Sequence, residues 1–313
     1  MRKRVAMIGL GDIAAKAYLP VVAHHPRIEL VAVMSRSRET VDRIGEAYRI
    51  AGRTTSLDEL LDFKADAVFV HSPTTTHAEI VMACLDRGVH VYVDKPLSYK
   101  LQESELMTER AAQSGRLLAV GFNRRFAPLY VEAKHWLDEV GGFDLCMAQK
   151  HRTRQQQLSA KETMYDDMIH MIDLLLWLGA KPYELTDWLC EQDETGRLLH
   201  ASGSLRFGRA SSLFSMNRRS GSDMEKLELH GGGRSAEIVN LESGLFRDGQ
   251  TGERARRFGS WETIAERRGF AGIVNHFLDS LDRPEHCSIR ADLVMDTHRL
   301  VERLASLSES PAK

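Results

Sequence analysis

The sequence predicts an α/β N-terminal Rossmann domain with a doubly wound parallel sheet, followed by an α+β domain with an open, mainly antiparallel sheet. Three observations carry this. Short apolar runs alternate with helix-like segments as far as Gly121, which is the grammar of a parallel sheet with helices on both faces. A glycine turn, Gly9-Leu10-Gly11-Asp12-Ile13-Ala14, stands between the first apolar run, Val5-Ala6-Met7-Ile8, and the first helix-like segment. Beyond residue 121 the alternation stops and strand-like runs follow one another. The expected domains are residues 1–121 and 122–313.

In the first half, the runs Ile28 to Met34, Ala67 to His71, Val89 to Val93 and Leu117 to Val120 read as strands. Glu39 to Tyr48, Thr76 to Arg87 and Leu101 to Ser114 read as helices between them. The second half opens with a helix from Pro128 to Glu139, a strand from Phe143 to Lys150 and a helix from Tyr165 to Leu178. Then come Leu185 to Glu191, Leu198 to Phe207, Ser211 to Asn217, Met224 to His230 and Ala236 to Leu241, separated by Gly, Asp and Ser turns and expected to form an antiparallel meander. Gly231-Gly232-Gly233 reads as a hairpin turn, because strands flank it and no helix follows. Helices near Ile264 to Leu281 and Arg290 to Leu307 close the chain.

The glycine turn is where chemistry enters. Gly9 lets the chain turn tightly off a strand, Gly11 lets backbone approach a pyrophosphate, and small Ala14 lets helix and strand pack closely. Phosphates then meet free N–H groups at a helix N-terminus, beside Asp12 and Ile13. The second strand runs into Ser35-Arg36-Ser37-Arg38 without the acid that usually bonds the ribose 2′-OH. A hydroxyl and guanidinium groups at Ser35 and Arg36 suit a 2′-phosphate, so NADP is expected over NAD.

Composition narrows the partners. A length of 313 residues suits two domains, and a net charge of −2 without a basic block excludes the electrostatic footprint of a nucleic-acid binder. Cys84, Cys146, Cys190 and Cys287 form no Cys-x-x-Cys pair, so they are expected to be buried thiols in a reducing compartment rather than a zinc cage. Met1-Arg2-Lys3-Arg4 leads into a strand cut by Gly9 and Gly11, not into a signal peptide, and no apolar stretch is long enough to span a bilayer. A soluble cytoplasmic protein acting on a small molecule is expected.

Two motifs offer reactive groups. Asp94-Lys95-Pro96 follows a strand, so Lys95 projects from the carboxyl edge of the sheet, where ligands of such folds bind. Asp166, His170 and Asp173 fall at i, i+4 and i+7, one stripe of a helix. A histidine flanked by carboxylates suits a general acid or base; metal binding is the competing reading of the same spacing.

Taken in order, these motifs resemble those of the Gfo/Idh/MocA family of NAD(P)-dependent oxidoreductases, and within it the MviM-like branch. The resemblance rests also on His71-Ser72-Pro73-Thr74-Thr75-Thr76-His77, on Gly121-Phe122-Asn123-Arg124-Arg125-Phe126, and on Asp166 to Asp173 against Asp-x-Gly-x-His-x-x-Asp. It implies that Ser72, Pro73, Thr74, His77, Asp94 and Lys95 line the cofactor. It also implies that Lys95, Asp166 and His170 are catalytic: His170 exchanges the hydroxyl proton, Lys95 bonds the reacting oxygen and Asp166 orients both, without a metal. Met168 stands where the family has Gly, and Thr74 where it has Asn; each is expected to alter the pocket. A homodimer or higher homo-oligomer is implied. So are two alternatives: an NAD-dependent glycosidase with no net redox change, and a nucleotide-sensing regulatory protein on the same fold.

The substrate is expected to be a sugar, polyol or sugar derivative. Arg124, Arg152 and Asp173 are the candidates to bind it. The wider set Arg124, Arg125, Lys150, His151, Arg152 and Arg154 is more basic than a neutral sugar needs, which points toward an anionic one.

Overall fold

β1 (Lys3–Ile8) ends in four consecutive buried residues, so both its faces are covered, as befits a central strand of a parallel sheet. It lies in a parallel six-stranded sheet with β2 (Ile28–Met34), β3 (Gly52–Thr54), β4 (Ala67–Val70), β5 (His90–Val93) and β6 (Leu118–Val120), in the order β3-β2-β1-β4-β5-β6. The computed structural model describes residues 2–179 and 182–309. They form two units: the described residues as far as Phe122 with Phe270–Asp296, and those from Asn123 to Gly269 with those from Thr297 on.

In the first unit the strands alternate with α1 (Leu19–Val22), α2 (Arg38–Ala47), α3 (Leu57–Leu61), α4 (His77–Asp86) and α5 (Leu101–Ser114). A π-helical turn, Ala14–Tyr18, precedes α1. Ser37 caps α2 by accepting the Thr40 N–H at 3.2 Å, and Gly115, at φ +64°, ends α5 in the left-handed conformation. β3 and α3 have no counterpart in the sequence reading, because Gly52-Arg53-Thr54 is too short and too polar to form an apolar run; its pairing to β2 makes it a strand.

The second unit holds α6 (Pro128–Asp138), β7 (Leu145–His151), α7 (Ala160–Thr163), a π-helical turn (Met164–Met168) and α8 (Ile169–Leu178). Its eight-stranded sheet adds β8 (Glu184–Gln192), β9 (Leu198–Phe207), β10 (Ala210–Asn217), β11 (Met224–Gly231), β12 (Arg234–Val239), β13 (Ser243–Asp248) and β14 (Gly252–Arg257), in the order β14-β13-β12-β11-β7-β10-β9-β8. The order corrects the simple meander: β7 is inserted between β11 and β10 and runs parallel to β10, while the other neighbours are antiparallel. A parallel neighbour needs a long connection, and the chain from β7 to β10 supplies one through α7, α8 and two strands.

One sheet face is apolar and covered. Cys146 and Ala148 of β7, Phe214 and Met216 of β10, and Leu227 and Leu229 of β11 are buried on it. α8, apolar on all sides and almost wholly buried, packs on β7. The Gly231 hairpin holds as expected, with Gly232 and Gly233 at φ +55° and +78° between Gly231 and its partner Arg234. β13 and β14 escaped the sequence reading; β14, Gly-Glu-Arg-Ala-Arg-Arg, is exposed throughout, a charged edge strand with no hydrophobic signal.

The predicted helix from Ile264 to Leu281 is broken. Gly269, at φ +82°, separates α9 (Ile264–Arg267) from α10 (Phe270–Ser280), and α10 belongs to the first unit. The reason is apolar: Phe277 sets its ring edge-on against Phe69 and Tyr92, 5.3 and 5.5 Å between centroids. The compact units thus differ in content from the expected residues 1–121 and 122–313, residues 270–296 grouping with the first unit. α11 (Ala291–Glu309) closes the chain. Cys84, Cys146 and Cys287 are buried free thiols, whereas Cys190, expected to be buried, is half-exposed on β8. Among the described residues, no helix is long and apolar enough to cross a membrane.

Candidate active site

The strand order of the first unit reverses between β1 and β4, and ligands of such sheets bind at the carboxyl ends of strands flanking that point. Gly9 and His71-Ser72 meet there. The His71 N–H donates to Ile8 O at 2.7 Å, and a Cβ on Gly9 would come within 2.3 Å of Ser72 N and 2.4 Å of the His71 carbonyl carbon. With Gly9 at φ +85°, only glycine fits this crossing. Gly11 differs: nothing lies within 4 Å of the Cβ position, and Gly11, Asp12 and Ile13 are all exposed at the start of the helical segment. A tight first turn beside an open second glycine at a helix start fits a dinucleotide pyrophosphate.

Ser35 follows β2 directly and is half-buried; Arg36 is exposed and makes no hydrogen bond or ion pair among the described residues. Its neighbours are engaged: Ser37 caps α2, and Arg38 pairs with Asp42 at 2.9 Å. The guanidinium of Arg36 is thus the group at this strand end that remains available to a phosphate.

His77 ties together two of the loops expected to line the cofactor. One ring nitrogen, Nδ1, lies 3.0 Å from Pro96 O and 3.3 Å from Leu97 O, and Nε2 lies 3.0 Å from Ser72 O. Ser72, Pro73 and Thr74 are therefore linked through α4 to the segment after β5 that carries Lys95. A neutral imidazole donates from only one nitrogen, and burial pushes the His77 pKa below its ordinary value despite nearby Asp94. Asp94 accepts the N–H of Lys95 at 2.8 Å, which fixes the backbone from which the half-buried lysine projects. Burial works against the Asp94 charge, but His71, Lys95 and His77 together hold its carboxyl below the usual range. His71, quoted in the motif but not as a site residue, lies 3.9 Å from Asp94 with its ring 4.0 Å from that of Tyr18; neither ring nitrogen has a hydrogen-bond partner.

In the second unit, Asp166 and His170 do not share an uninterrupted α-helical stripe, because Met164–Met168 is a π turn and α8 starts only at Ile169. Wide turns of this kind recur at functional sites, since they redirect side chains. Asp166 accepts the Gln156 amide at 2.5 Å. His170 is buried, with Arg124 Nη1 3.2 Å from its Nε2 and 3.4 Å from its Nδ1. Met168 is wholly buried, so its bulk is taken up by the core. Asp173, a predicted substrate ligand, has no exposed surface; it takes a bidentate bond from Arg125, at 2.6 and 2.8 Å, and another from Thr297 at 3.2 Å. Its carboxylate thus faces Arg125 and Thr297 in the interior of the unit rather than a ligand, contrary to the expectation from the sequence.

Around Arg124 the structure gathers Lys150 and Arg152, which the sequence singled out, with Asp167, Arg218 and Glu225, which it did not. Arg124 forks onto Glu225, with Nε and Nη2 each 3.1 Å from a carboxylate oxygen. Lys150 Nζ lies 2.5 Å from Asp167 and 3.9 Å from Glu225; Arg218 bonds Asp167; and Arg152 lies 3.9 Å from Asp167 and 4.0 Å from Glu225. Burial pushes the Lys150 ammonium down to about 8, although Asp167 opposes it. Burial likewise disfavours the Glu225 charge, but Arg124 and Lys150 bring that carboxyl down to about 2. One signal was legible: Cys146, Ala148 and Lys150 alternate on β7, so the lysine stands where the next core residue belongs. Arg154 and His151 take no part in these pairs. Among the described residues, no three His, Cys, Asp or Glu side chains converge to hold a metal.

Comparison with known proteins supplies the family. Residues 3–122 match the family model described as an oxidoreductase family with an NAD-binding Rossmann fold, and residues 128–247 match the YceM-like C-terminal domain. The oxidoreductase-named YceM of Salmonella typhimurium is 35% identical over 302 residues, 96% of each chain. The crystal structure of a dehydrogenase, MviM, from Clostridium difficile superposes with a TM-score of 0.91 at 32% identity, covering 98% of this chain and 100% of that one. A scyllo-inositol 2-dehydrogenase (NAD+) of Bacillus subtilis is 25% identical over 254 residues, 78% of this chain and 73% of its own.

Proposed function

Since the chain belongs to the Gfo/Idh/MocA oxidoreductase family, with an NAD-binding Rossmann unit, we propose that it moves hydride between NADP and a hydroxyl or carbonyl carbon of a sugar, polyol or sugar derivative. The observation that carries the reading is the open Gly11 beside the crowded Gly9 at the β1/β4 crossing, with Lys95 one strand further on. A bound nicotinamide supplies the hydride acceptor or donor.

In the oxidation direction His170 takes the proton of the substrate hydroxyl, which lets the C–H electron pair leave as hydride; in reduction it returns that proton. Lys95 donates to the reacting oxygen and stabilises the negative charge that develops there. Asp166 orients the two. His170 lies 3.2 Å from Arg124 Nη1, so the proposed base and a proposed substrate contact are neighbours in this unit. Gly9, Gly11, Asp12 and Ile13 receive the pyrophosphate, and Ser35 with Arg36 receives the 2′-phosphate, hence NADP over NAD. Arg124 and Arg152 stand near the substrate.

We further propose a homodimer or higher homo-oligomer in the cytoplasm. Leu189 and Leu213, 51% and 46% exposed on the uncovered side of the eight-stranded sheet, support association there, and gel filtration with light scattering tests it.

The decisive experiment is a paired fluorescence titration with NADPH and NADH, followed by a polyol and sugar panel with the preferred cofactor. Tight NADPH binding and turnover of a panel member are the expected results; binding of neither cofactor overturns the assignment.

A further inference from the structure

We infer that the substrate carries an oxyanion, a carboxylate or phosphate ester, held by Lys150, Arg152 and Arg218 beside His170. The inference deepens the oxidoreductase reading and rests on it.

The covered face of the second sheet is apolar along most of its length. On β7 it carries Cys146 and Ala148, on β10 Phe214 and Met216, and on β11 Leu227 and Leu229. At one end of these strands the same parity continues in charge. Lys150 follows Ala148 and pairs in register with Glu225 on one side and Met216 on the other, and Arg218 follows Met216 just beyond β10. Lys150 is 1% exposed and Arg218 5%. Buried charge is costly unless matched, so the count matters.

Four cations meet here: Arg124, Lys150, Arg152 and Arg218. Two buried or nearly buried carboxylates answer them, Asp167 and Glu225. Asp223 adds a third at the rim, exposed and already bound by the N–H and hydroxyl of Thr153 at 2.7 and 3.0 Å. Against these three carboxylates the four cations leave one positive charge over; Asp166, on the same turn as Asp167, is engaged by Gln156. Arg218 also has unused capacity: its Nη1 bonds Asp167, but its buried Nε has no hydrogen-bond partner. Arg152 makes its carboxylate contacts only at 3.9 and 4.0 Å, too long for hydrogen bonds, and is the most exposed of the four. A neutral polyol leaves this surplus unanswered. An oxyanion matches it, with guanidinium forks of the right planar geometry and an ammonium as a point charge. Arg124 joins the cluster to His170, so the anion belongs to the molecule whose hydroxyl reacts.

The test titrates D-glucuronate, inorganic phosphate and D-glucose into the NADPH-loaded protein by calorimetry, with ionic strength held constant by potassium chloride. The expected result is binding of glucuronate, phosphate or both, with glucose at least about tenfold weaker. Arg218→Gln and the more exposed Arg152→Gln are each expected to weaken the anion by about tenfold or more while NADPH affinity stays unchanged; if Arg218→Gln does not fold, Arg152→Gln reads the same contact. Whichever of glucuronate and phosphate binds better identifies the anion. Binding of neither anion, glucose binding as tightly as both, or unchanged anion affinity in a folded variant overturns the inference. A prior NADPH titration separates the two failures: no NADPH binding sinks the oxidoreductase reading, and the same three titrations into the free protein then decide whether the anion site exists.

Discussion

Asp173 and Arg125 form a fully engaged ion pair, Nη2 to Oδ1 at 2.6 Å and Nε to Oδ2 at 2.8 Å, with the two side chains 1% and 10% exposed. The pair joins α8 to the Asn123–Phe126 turn, and Thr297 adds α11 through its hydroxyl. Removing one partner strands a buried charge. Asp173→Asn is therefore expected to cost about 3–5 kcal/mol of stability and to leave NADPH affinity unchanged. Thermal melts and a fluorescence titration check this; a wild-type melting temperature with a raised KM would return Asp173 to the substrate.

The two glycines of the turn give opposite results on substitution. Gly9→Ala drives a Cβ into the backbone at Ser72 and forces a residue with a side chain to φ +85°, so loss of folded protein is expected. Gly11→Ala meets no protein atom and should fold normally, but its methyl occupies the space through which phosphate approaches. Its expected signature is an unchanged melting temperature with NADPH binding weakened by about tenfold or more.

Cofactor choice turns on Ser35 and Arg36. Ser35→Asp places a carboxylate where a 2′-phosphate would sit, and the expected outcome is a reversal toward NADH in the paired titration. Arg36→Ala should weaken NADPH selectively, by roughly tenfold for the loss of a charge-assisted contact. Equal loss of both cofactors would mean that Arg36 acts on the adenine rather than on the phosphate.

For catalysis, His170→Ala is expected to lower kcat by about 100- to 10,000-fold, the range of a lost general base. Lys95→Ala should fall by about 100-fold or more, as for the loss of a donor to a developing oxyanion. NADPH binding should survive in His170→Ala, which lies in the other unit. Biological activity that is unchanged in both variants but abolished by Gly11→Ala would favour the nucleotide-sensing alternative.

The His77 bridge predicts a pH dependence of stability. Its folded pKa lies below the ordinary value of 6.5 because burial disfavours the charged ring. Below pH 6.5 the unfolded chain therefore binds a proton that the folded chain resists, so this contribution is present above 6.5 and is lost as pH falls toward and through the folded value. Each unit of depression is worth about 1.4 kcal/mol. Melting temperature should fall between pH 7 and 5, and His77→Gln should flatten that slope; equal slopes in both proteins would show that the ring is not held neutral.

The sequence by itself determined the elements whose signal is local. Val5 to Ile8 with Gly9 and Gly11, the run at Leu198–Phe207 and the glycines at 231–233 each carry their structure in a short window of period, turn chemistry and conformational freedom. The same holds for the nucleotide end of the candidate site, since Gly9, Ser35 and Lys95 all follow strands of one parallel sheet and so emerge at one edge. Tertiary structure decided which distant side chains meet. Whether α10 packs on Phe69 and Tyr92, whether β7 lies between β10 and β11, and whether Asp173 faces a ligand or Arg125 depend on pairings across dozens of residues. The charged cluster is the sharpest case. Lys150, Arg218, Glu225 and Asp167 come from two strands, a strand end and a π turn, and share a surface only because register and the inward parity of the covered sheet face align them. Period-2 patterning states which residues of one strand share a face; which faces come together is settled by packing between strands.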